Sequence, residues 1–359
     1  MGGRTVAVEG SALRSGDASR TVRVGFLAPG PVAAAALLAA VALGTTLPPP
    51  LRYAPLAASV VLFGLPHGAV DHLAVARARG ADTPTAVASA GAVGALYLVL
   101  GAAYGAVWFV APGVAAVGFV LLTWLHWGQG DLHASLVLAD ADHLRTRTQR
   151  ALFVAVRGGL PMLVPLLGFP ATYRRVLSSF AALFGDGSLG RAAVLFSPGA
   201  RLVLGTAFAA LTVASLALGL ARTADPRSWA VDAAETVLLW ACFLAVPPLV
   251  AVGTYFCLWH ALRHVARLLL LDDRAAGSLR AGRPVAALRR FARDAAPLSA
   301  LSLVLLAGFA LVVPAAPSSA LDLTALYLVF ISMLTLPHVV VVALLDRAEG
   351  VWRPGDSTE

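Results

Sequence analysis

Residues 249–271 have the sequence LVAVGTYFCLWHALRHVARLLLL, an apolar run that contains two histidines. A helix that crosses a membrane needs about 20 mostly apolar residues, and this run is long enough. His260 and His264 are four residues apart, so they lie on one face of the helix. Ionisable side chains inside a membrane are costly and usually mark a functional site. The segment therefore predicts both a membrane helix and a site within it.

Apolar runs of similar length recur along the chain. Of its 359 residues, 59% are hydrophobic and 13% are charged, whereas soluble domains are about half apolar and about 25% charged. This excludes a cytosolic enzyme, a secreted disulfide scaffold and a disordered protein. We predict an all-α fold, a polytopic membrane helix bundle of about eight to ten transmembrane helices with a histidine-rich metal site in its core. The predicted spans are 28–48, 51–76, 85–111, 113–138, 150–170, 201–221, 229–248, 249–271, 296–316 and 322–346.

Arginines fall mainly in alternate loops, and the 272–294 loop has most of them. Because positive residues collect in cytoplasmic loops, we predict a multi-pass protein of the cell membrane with both termini in the cytoplasm. The predicted parts are a polar cytoplasmic tail (1–27), a transmembrane domain (28–346) and a cytoplasmic C-terminal tail (347–359). The loop 171–200 fits poorly, since its predicted side is external although it contains three arginines. An interfacial helix over 173–184 is expected within it.

All 27 basic residues are arginines, and the chain has no lysine. A retinal Schiff base and a P-loop ATPase both need lysine, so both are excluded. The net charge of +8 is explained by loop arginines, and we expect no nucleic-acid partner. Cys242 and Cys257 lie in apolar segments and indicate neither a disulfide nor a cysteine metal site.

Seven of the eight histidines lie in or beside predicted spans. Counted from the span starts, four helices present imidazoles at a similar depth, within about two helical turns. Helix bundles build metal sites in this way, from side chains on facing helices. The depth comparison concerns His67, His126, His260, His264 and His338, and the other two of the seven are His72 and His133.

Several of these groups are expected to support the site. Asp71 follows His67 by four residues, so it is expected to orient the His67 ring or to bind the metal itself. His133 shares a face with His126 but is two turns away, too far to share an ion. The possible supporting residues are Asp71, His72, Asp131, His133 and His338.

The types of side chain available as metal ligands limit which metals and reactions are expected. There is no thiolate cluster and no HExxH motif, so zinc proteolysis is not expected. Imidazole-rich sites suit iron, copper or zinc, and a neutral set with an open position in an apolar bundle suits Fe(II) and O₂. The residues alone therefore predict a membrane-embedded histidine–metal redox enzyme that acts on an apolar substrate.

Four motifs resemble the Brp/Blh family of membrane β-carotene 15,15′-dioxygenases: GLPHGAVDH (64–72), HWGQGD (126–131), WHALRH (259–264) and LPH (336–338). The resemblance covers residues 50–345 and includes the order and spacing of the motifs. It implies one non-haem Fe²⁺ held by four catalytic histidines. Matched motif by motif, these are His67, His126, His260 and His264.

The implied reaction cleaves β-carotene at its central double bond with O₂ and gives two all-trans-retinals, which supply a rhodopsin of the same cell. The substrate dissolves in the bilayer and would reach the enzyme by lateral diffusion. Aromatic residues beside the histidines are candidates for lining a polyene tunnel, although aromatics in spans mostly just pack. They are Phe63, Trp124, Trp127, Phe256 and Trp259.

Other classes remain open from the sequence. A membrane b-type haem protein would use paired histidines across helices. A non-enzymatic carotenoid carrier would use the buried polar groups as part of a substrate path. A membrane di-iron desaturase is disfavoured because the chain has no adjacent His-His pair.

Overall fold

The computed structural model describes residues 16–353, and this part of the chain is helical and contains no strand. The α-helices, numbered in chain order, are α1 Gly16–Val22, α2 Pro29–Ala42, α3 Ala54–Val61, α4 Gly64–Ala69, α5 Asp71–Arg79, α6 Thr83–Val110, α7 Pro112–His133, α8 Arg147–Gly168, α9 Pro170–Ala182, α10 Pro198–Leu220, α11 Pro226–Ala245, α12 Pro248–Thr254, α13 Leu262–Leu271, α14 Asp273–Arg280, α15 Pro284–Val312 and α16 Ala320–Glu349. Short π-helical or 3-10 segments join several of them: Arg23–Leu27, Pro49–Tyr53, Ala134–Leu138, Gly190–Phe196 and Tyr255–Ala261.

Within the described residues, seven helices are long and apolar enough to cross a membrane. An eighth is obtained when Pro49–Ala69 and Asp71–Arg79 are taken as one span with a 40° bend. The predicted all-α membrane bundle is therefore confirmed. The seven are Ser19–Ala42, α6, α8, α10, α11, α15 and α16.

Two predicted spans, 113–138 and 249–271, are helical but less apolar than these seven. The first corresponds mainly to α7, and the second to α12, the π-helical segment Tyr255–Ala261 and α13. Both contain histidines and charged side chains that are buried inside the bundle. Their polarity faces other helices rather than lipid, which is how polar residues are tolerated at membrane depth.

α8, which corresponds to the predicted span 150–170, is the most buried of the seven span-length helices. α8 contains Pro161 and Pro165, yet it is a continuous helix. Of the residues in its most apolar stretch, 72% are buried inside the bundle. A Cβ at Gly128 or Gly158 would overlap the backbone of the opposite helix, so these glycines let α7 and α8 approach closely. The adjoining α9 occupies most of the predicted interfacial segment 173–184.

The ends of the described chain belong to the packed structure. Val22 and Phe26 are buried in the same apolar cluster as Leu279, so the helical part of the predicted tail 1–27 packs on the bundle and continues into the first span. Val351 is buried, and its carbonyl accepts a hydrogen bond from Arg150 at 2.7 Å. Predictions for residues 1–15 and 354–359 lie outside the described residues.

These contacts bring several chain segments to one end of the bundle. Arg267, near the end of α13, is paired with Asp346 and Glu349 at the end of α16. The end of α1, at Val22, and the 272–294 segment therefore lie at the same end as residue 350. This arrangement agrees with an even number of membrane crossings.

We expect this end to be cytoplasmic, because it contains the arginine-rich loops. A reporter fused after Glu359, or inserted in 272–294, should report a cytoplasmic position. The matched control is the same reporter inserted in 313–319, between α15 and α16, which should report the opposite side. An external signal from Glu359 would contradict the predicted orientation.

Candidate metal centre

Five histidines from five helical segments meet inside the bundle. His67 lies on α4, His126 on α7, His260 in the π-helical segment, His264 on α13 and His338 on α16. Each is 6% exposed or less. The centre of the His67 ring is 6.4, 5.7, 5.4 and 5.1 Å from those of His126, His260, His264 and His338. The structure thus brings together the four histidines expected as metal ligands, and it places His338, expected as a supporting residue, among them.

The nitrogen atoms of these rings converge more closely than the ring centres. Nε2 of His126 and Nε2 of His260 are 2.9 Å apart. Two sets of three residues each place one possible ligand atom per residue within 4.8 Å of the other two. The first set is His67, His126 and His338, and the second is Asp71, His264 and His338. Both sets include His338.

Several buried nitrogens in the cluster have no hydrogen-bond partner in the protein. These are Nδ1 of His126, both ring nitrogens of His264, and Nε2 of His338. Leaving buried polar atoms unpaired costs free energy, so a native structure usually has a reason for them. With a metal–nitrogen bond of about 2.1 Å, two imidazoles on one ion have ring centres roughly 4.5 to 6.5 Å apart. The observed separations of 4.6 to 6.4 Å fit a bound metal ion.

Asp71 supports His338 and not His67. Its Oδ2 atom is 2.6 Å from Nδ1 of His338 and accepts a 2.6 Å hydrogen bond from the Tyr97 hydroxyl. His67 Nδ1 instead lies 2.9 Å from the carbonyl oxygen of Phe63. The expectation that Asp71 orients the His67 ring is therefore replaced by a Tyr97–Asp71–His338 chain. A carboxylate bonded to the second nitrogen of an imidazole is a common support for a metal ligand.

Asp131 belongs to a separate buried ion-pair network beside the cluster. Its carboxylate accepts from Arg157 at 2.8 Å, from Arg263 at 2.9 Å and from Trp259 at 3.0 Å. Both arginines also pair with Glu235. Two carboxylates and two guanidiniums balance each other's charge, and they join α7, α8, α11 and α13. Asp131 follows His126 by five residues, and Arg263 precedes His264, so the network fixes the helices that carry these histidines.

His133 is held in a second network, away from the cluster. Its Nε2 is 2.7 Å from Glu349, which is also paired with Arg267. This agrees with the expectation that His133 cannot share an ion with His126. His72 is half-buried, and its Nδ1 is 3.0 Å from the carbonyl oxygen of Ala69.

The paired arginines and glutamates were not among the predicted site residues, and neither was Tyr97. The available signal was charge within predicted spans, because such residues usually pair with one another. The residues concerned are Arg157, Glu235, Arg263, Arg267 and Asp346, whereas Glu349 lies just beyond the predicted span 322–346.

His143 is a structural residue. It is buried, and its Nε2 is 3.1 Å from Asp232.

The neighbouring Asp142, in a loop outside the spans, accepts hydrogen bonds from the backbone of Ala224 and Asp225. Partial burial raises the pKa of Asp142, but these bonds and that from Ser228 outweigh it and lower the pKa below its ordinary value.

A cavity of about 1090 Å³ adjoins the histidine cluster. Typical small-molecule pockets have volumes of about 300–1,000 Å³, so this one accommodates a large ligand. Its wall is mostly apolar, and His67, His126 and His338 are part of it. Of the five aromatic residues expected in a tunnel, Trp127 and Phe256 line the cavity.

The other three aromatics have different contacts. Trp259 donates to Asp131 and stacks near both arginines of the network. Trp124 donates to the carbonyl of Ala155, and Phe63 packs at the edge of an apolar cluster. Their positions indicate packing roles.

Comparison with known proteins agrees with this geometry. A sequence model of the family described as beta-carotene 15,15′-dioxygenase matches residues 58–346, a range that includes all five histidines. The chain belongs to this family. No solved structure matches it.

Two relatives come from Halobacterium salinarum. One, described as probable beta-carotene 15,15′-dioxygenase Blh, is 52% identical over 352 residues and covers 98% of this chain and 100% of the relative. The second, described as probable beta-carotene 15,15′-dioxygenase Brp, is 36% identical over 306 residues, or 82% of this chain and 83% of the relative. A beta-carotene 15,15′-dioxygenase of an uncultured marine bacterium is 25% identical over 207 residues, 58% of this chain and 66% of the relative. The family predicted from the sequence motifs is confirmed.

We expect the Asp131 network to be essential for folding. Asp131→Ala would leave two buried arginines with one carboxylate, and breaking a buried pair on one side costs about 3–5 kcal/mol. The midpoint of thermal unfolding of the detergent-purified protein should fall clearly. The control is Asp186→Ala, at an exposed carboxylate in the 183–189 loop. Equal midpoints for the two variants would show that the network does not stabilise the fold.

Proposed function

We propose that this chain cleaves β-carotene at its central 15,15′ double bond with O₂ and releases two all-trans-retinals. The main support is the large apolar cavity that ends at a histidine cluster within a chain of this family. The named activities of the Blh and Brp relatives support the same reaction. An apolar cavity at membrane depth suits a hydrocarbon substrate that is dissolved in the bilayer.

The reaction balances without a further reductant. The C15=C15′ double bond breaks, two C=O bonds form, and each product receives one oxygen atom from O₂. The polyene is oxidised and O₂ is reduced, so neither a flavin nor 2-oxoglutarate is required.

We propose iron(II) as the cofactor, with His67, His126, His260 and His264 as its ligands and His338 as a fifth nitrogen donor. All five are neutral donors in the same small space, which is a donor set that suits Fe(II). Bound there, iron would supply the activation of O₂. Tyr97 and Asp71 would hold the His338 ring so that its free Nε2 faces the cluster.

The remaining residues of the site position the substrate and exclude water. Trp127 lies 5.5 Å from the His260 ring, and Phe256 lies 5.8 Å from the His67 ring, measured between ring centres. Both line the cavity, so they would pack against the polyene beside the reacting bond. Their flat faces would hold it in one orientation, which favours reaction at a single bond.

The products would leave as free aldehydes. The chain has no lysine, so retinal cannot be retained as a Schiff base on a side chain. We infer that retinal passes through the bilayer to a rhodopsin of the same cell.

A haem alternative fits the geometry less well. The rings of His67 and His126 are nearly parallel and 6.4 Å apart, as two axial ligands would be. The His338 ring, however, is 5.1 and 4.6 Å from these two and stands in the space that a porphyrin would need. A Soret band in the purified protein would reverse this conclusion.

We expect each of the five cluster histidines to be required for iron binding. Alanine at His67, His126, His260, His264 or His338 removes one donor, so iron per purified protein should fall to near background. Asp71→Asn should weaken iron binding about 10–100-fold, as loss of a supporting carboxylate commonly does.

The matched control for iron content is His72→Ala, which removes a nearby imidazole outside the cluster. It should retain iron at the wild-type level. Full iron in His260→Ala would contradict the assignment of His260, and full iron in His338→Ala would limit the ligand set to four histidines.

We expect two retinals for each β-carotene consumed. Detergent-solubilised enzyme is incubated with β-carotene, O₂ and Fe²⁺, and the products are separated by chromatography. Anaerobic samples and samples with an Fe(II) chelator should give no product. Apocarotenals of unequal length would indicate cleavage at another bond, and a bound but unchanged carotenoid would indicate a carrier.

A further inference from the structure

The cavity has one side that is not closed by protein. α6 and α15 both line it, yet these two helices do not pack against each other along their length. Leu98 of α6 and Val304 of α15 line the cavity although 73% and 68% of their surfaces are exposed. Side chains that face both the cavity and the outside mark its mouth.

The first half of α15 is its more deeply buried half. Its buried residues are Ala287, Phe291 and Ala295, and none follows within this helix. Pro297 comes directly after this packed part and removes one helical hydrogen bond. From there to Val312 the helix lines the cavity and has no fully buried residue, and its Leu306 and Phe309 are partly buried against apolar clusters of the bundle.

Two glycines mark the ends of the gap. Gly94 of α6 and Gly308 of α15 are exposed and line the cavity, and a Cβ added to either would have no atom within 4 Å. Gly94 is three residues before Tyr97, so it is level with the histidine cluster. Gly308 precedes Phe309, whose ring centre is 6.2 Å from that of Phe330, near the far end of the cavity.

The histidine cluster lies toward one end of the cavity. On α7 the lining residues run from Phe119 to Trp127, and on α16 from Leu328 to His338, so the cavity extends mainly to one side of the histidines. Along α6 it continues for twelve residues beyond Tyr97, about 18 Å at 1.5 Å per residue. In the opposite direction it reaches only Val93.

We propose that the gap between α6 and α15 is a lateral opening through which the carotenoid enters from the bilayer, and in which part of the polyene stays during the reaction. This rests on the proposed β-carotene cleavage. The apolar end of the cavity would receive one half of the molecule. The second half then extends past Gly94 toward the lipid, so that the central bond reaches the histidines. Lipid is the source of the substrate, and an apolar gap that faces lipid needs no polar gate.

The test narrows the opening without touching the cluster. Gly94→Phe and Gly308→Phe place a ring in the open space at each end of the gap. Gly91→Phe and Ala307→Phe are the controls: both positions are exposed on the same helices, and neither lines the cavity. Gly91→Phe makes the same exchange as Gly94→Phe, so it matches the effect on helix stability and insertion, and Ala307→Phe places the same ring directly beside Gly308 but outside the cavity wall.

Two measurements are made on protein in lipid nanodiscs. The first is retinal formation at limiting β-carotene, together with iron content. The second is the rate at which β-carotene from vesicles binds under anaerobic conditions, where no turnover occurs. We expect Gly94→Phe to lower kcat/KM and the binding rate by about tenfold or more, a typical effect of a changed pocket wall, with iron unchanged. A series of Ala, Leu and Phe at Gly94 should show a graded loss.

The outcomes separate this proposal from the proposed function. If the wild-type protein forms no retinal, the cleavage reaction itself is wrong. If the wild type cleaves β-carotene and both glycine variants behave as their controls do, the lateral opening is wrong. An equal loss in Gly91→Phe would also overturn it, because the effect would then come from the helix and not from the gap.

Discussion

The pairing of Asp131 with two arginines is the interaction on which the rest of the site depends. An unpaired arginine inside an apolar bundle is costly, and Arg157 and Arg263 avoid this cost by sharing Asp131 and Glu235. The geometry satisfies all four groups only when α7, α8, α11 and α13 lie in one relative position. Because His126 and His264 project from two of these helices, the ion pairs also set the distance between these histidines.

The second network acts on α7 and α13 about one turn or less beyond the first. His133 of α7 and Arg267 of α13 meet Glu349 of α16, which carries His338. α7, α13 and α16 are therefore tied together beyond the cluster as well as beside it. The Asp71 carboxylate contacts the cluster at His338, and the two ion-pair networks fix the helices that carry the other imidazoles.

The sequence was informative where the relevant spacing is short. The i, i+4 pair His260 and His264, the Pro-His-Gly motif around His67 and the span lengths all follow from helix geometry, and the structure has helices at each of these places. Helix geometry could not predict which side chains pair with one another across the bundle. Asp71 is four residues from His67 but pairs with His338, 267 residues away. Helical spacing gives local neighbours, whereas the tertiary packing decides which of them is used.

Tertiary packing also explains why α8 contains prolines and glycines. Pro161, Pro165 and the glycines before them weaken a span signal, but the glycines are what allow close packing against α7. A span that touches lipid needs a continuous apolar surface, while a helix at the centre of the bundle needs small residues at its contacts. The weak signal in this segment was therefore a sign of central position.

The two sides of the histidine cluster differ in a way that bears on its chemistry. On one side lie the charged networks of Asp131 and Glu349, which bind the helices together and leave little free space. On the other side lies the mostly apolar cavity, bounded by α6 and by the second half of α15, in which no residue is fully buried. The histidines stand at the boundary, where they are held by the rigid side and exposed only toward the apolar one. The apolar wall therefore leads to the imidazole nitrogens, while the ion-pair networks that fix the histidine-bearing helices lie on the other side of the cluster.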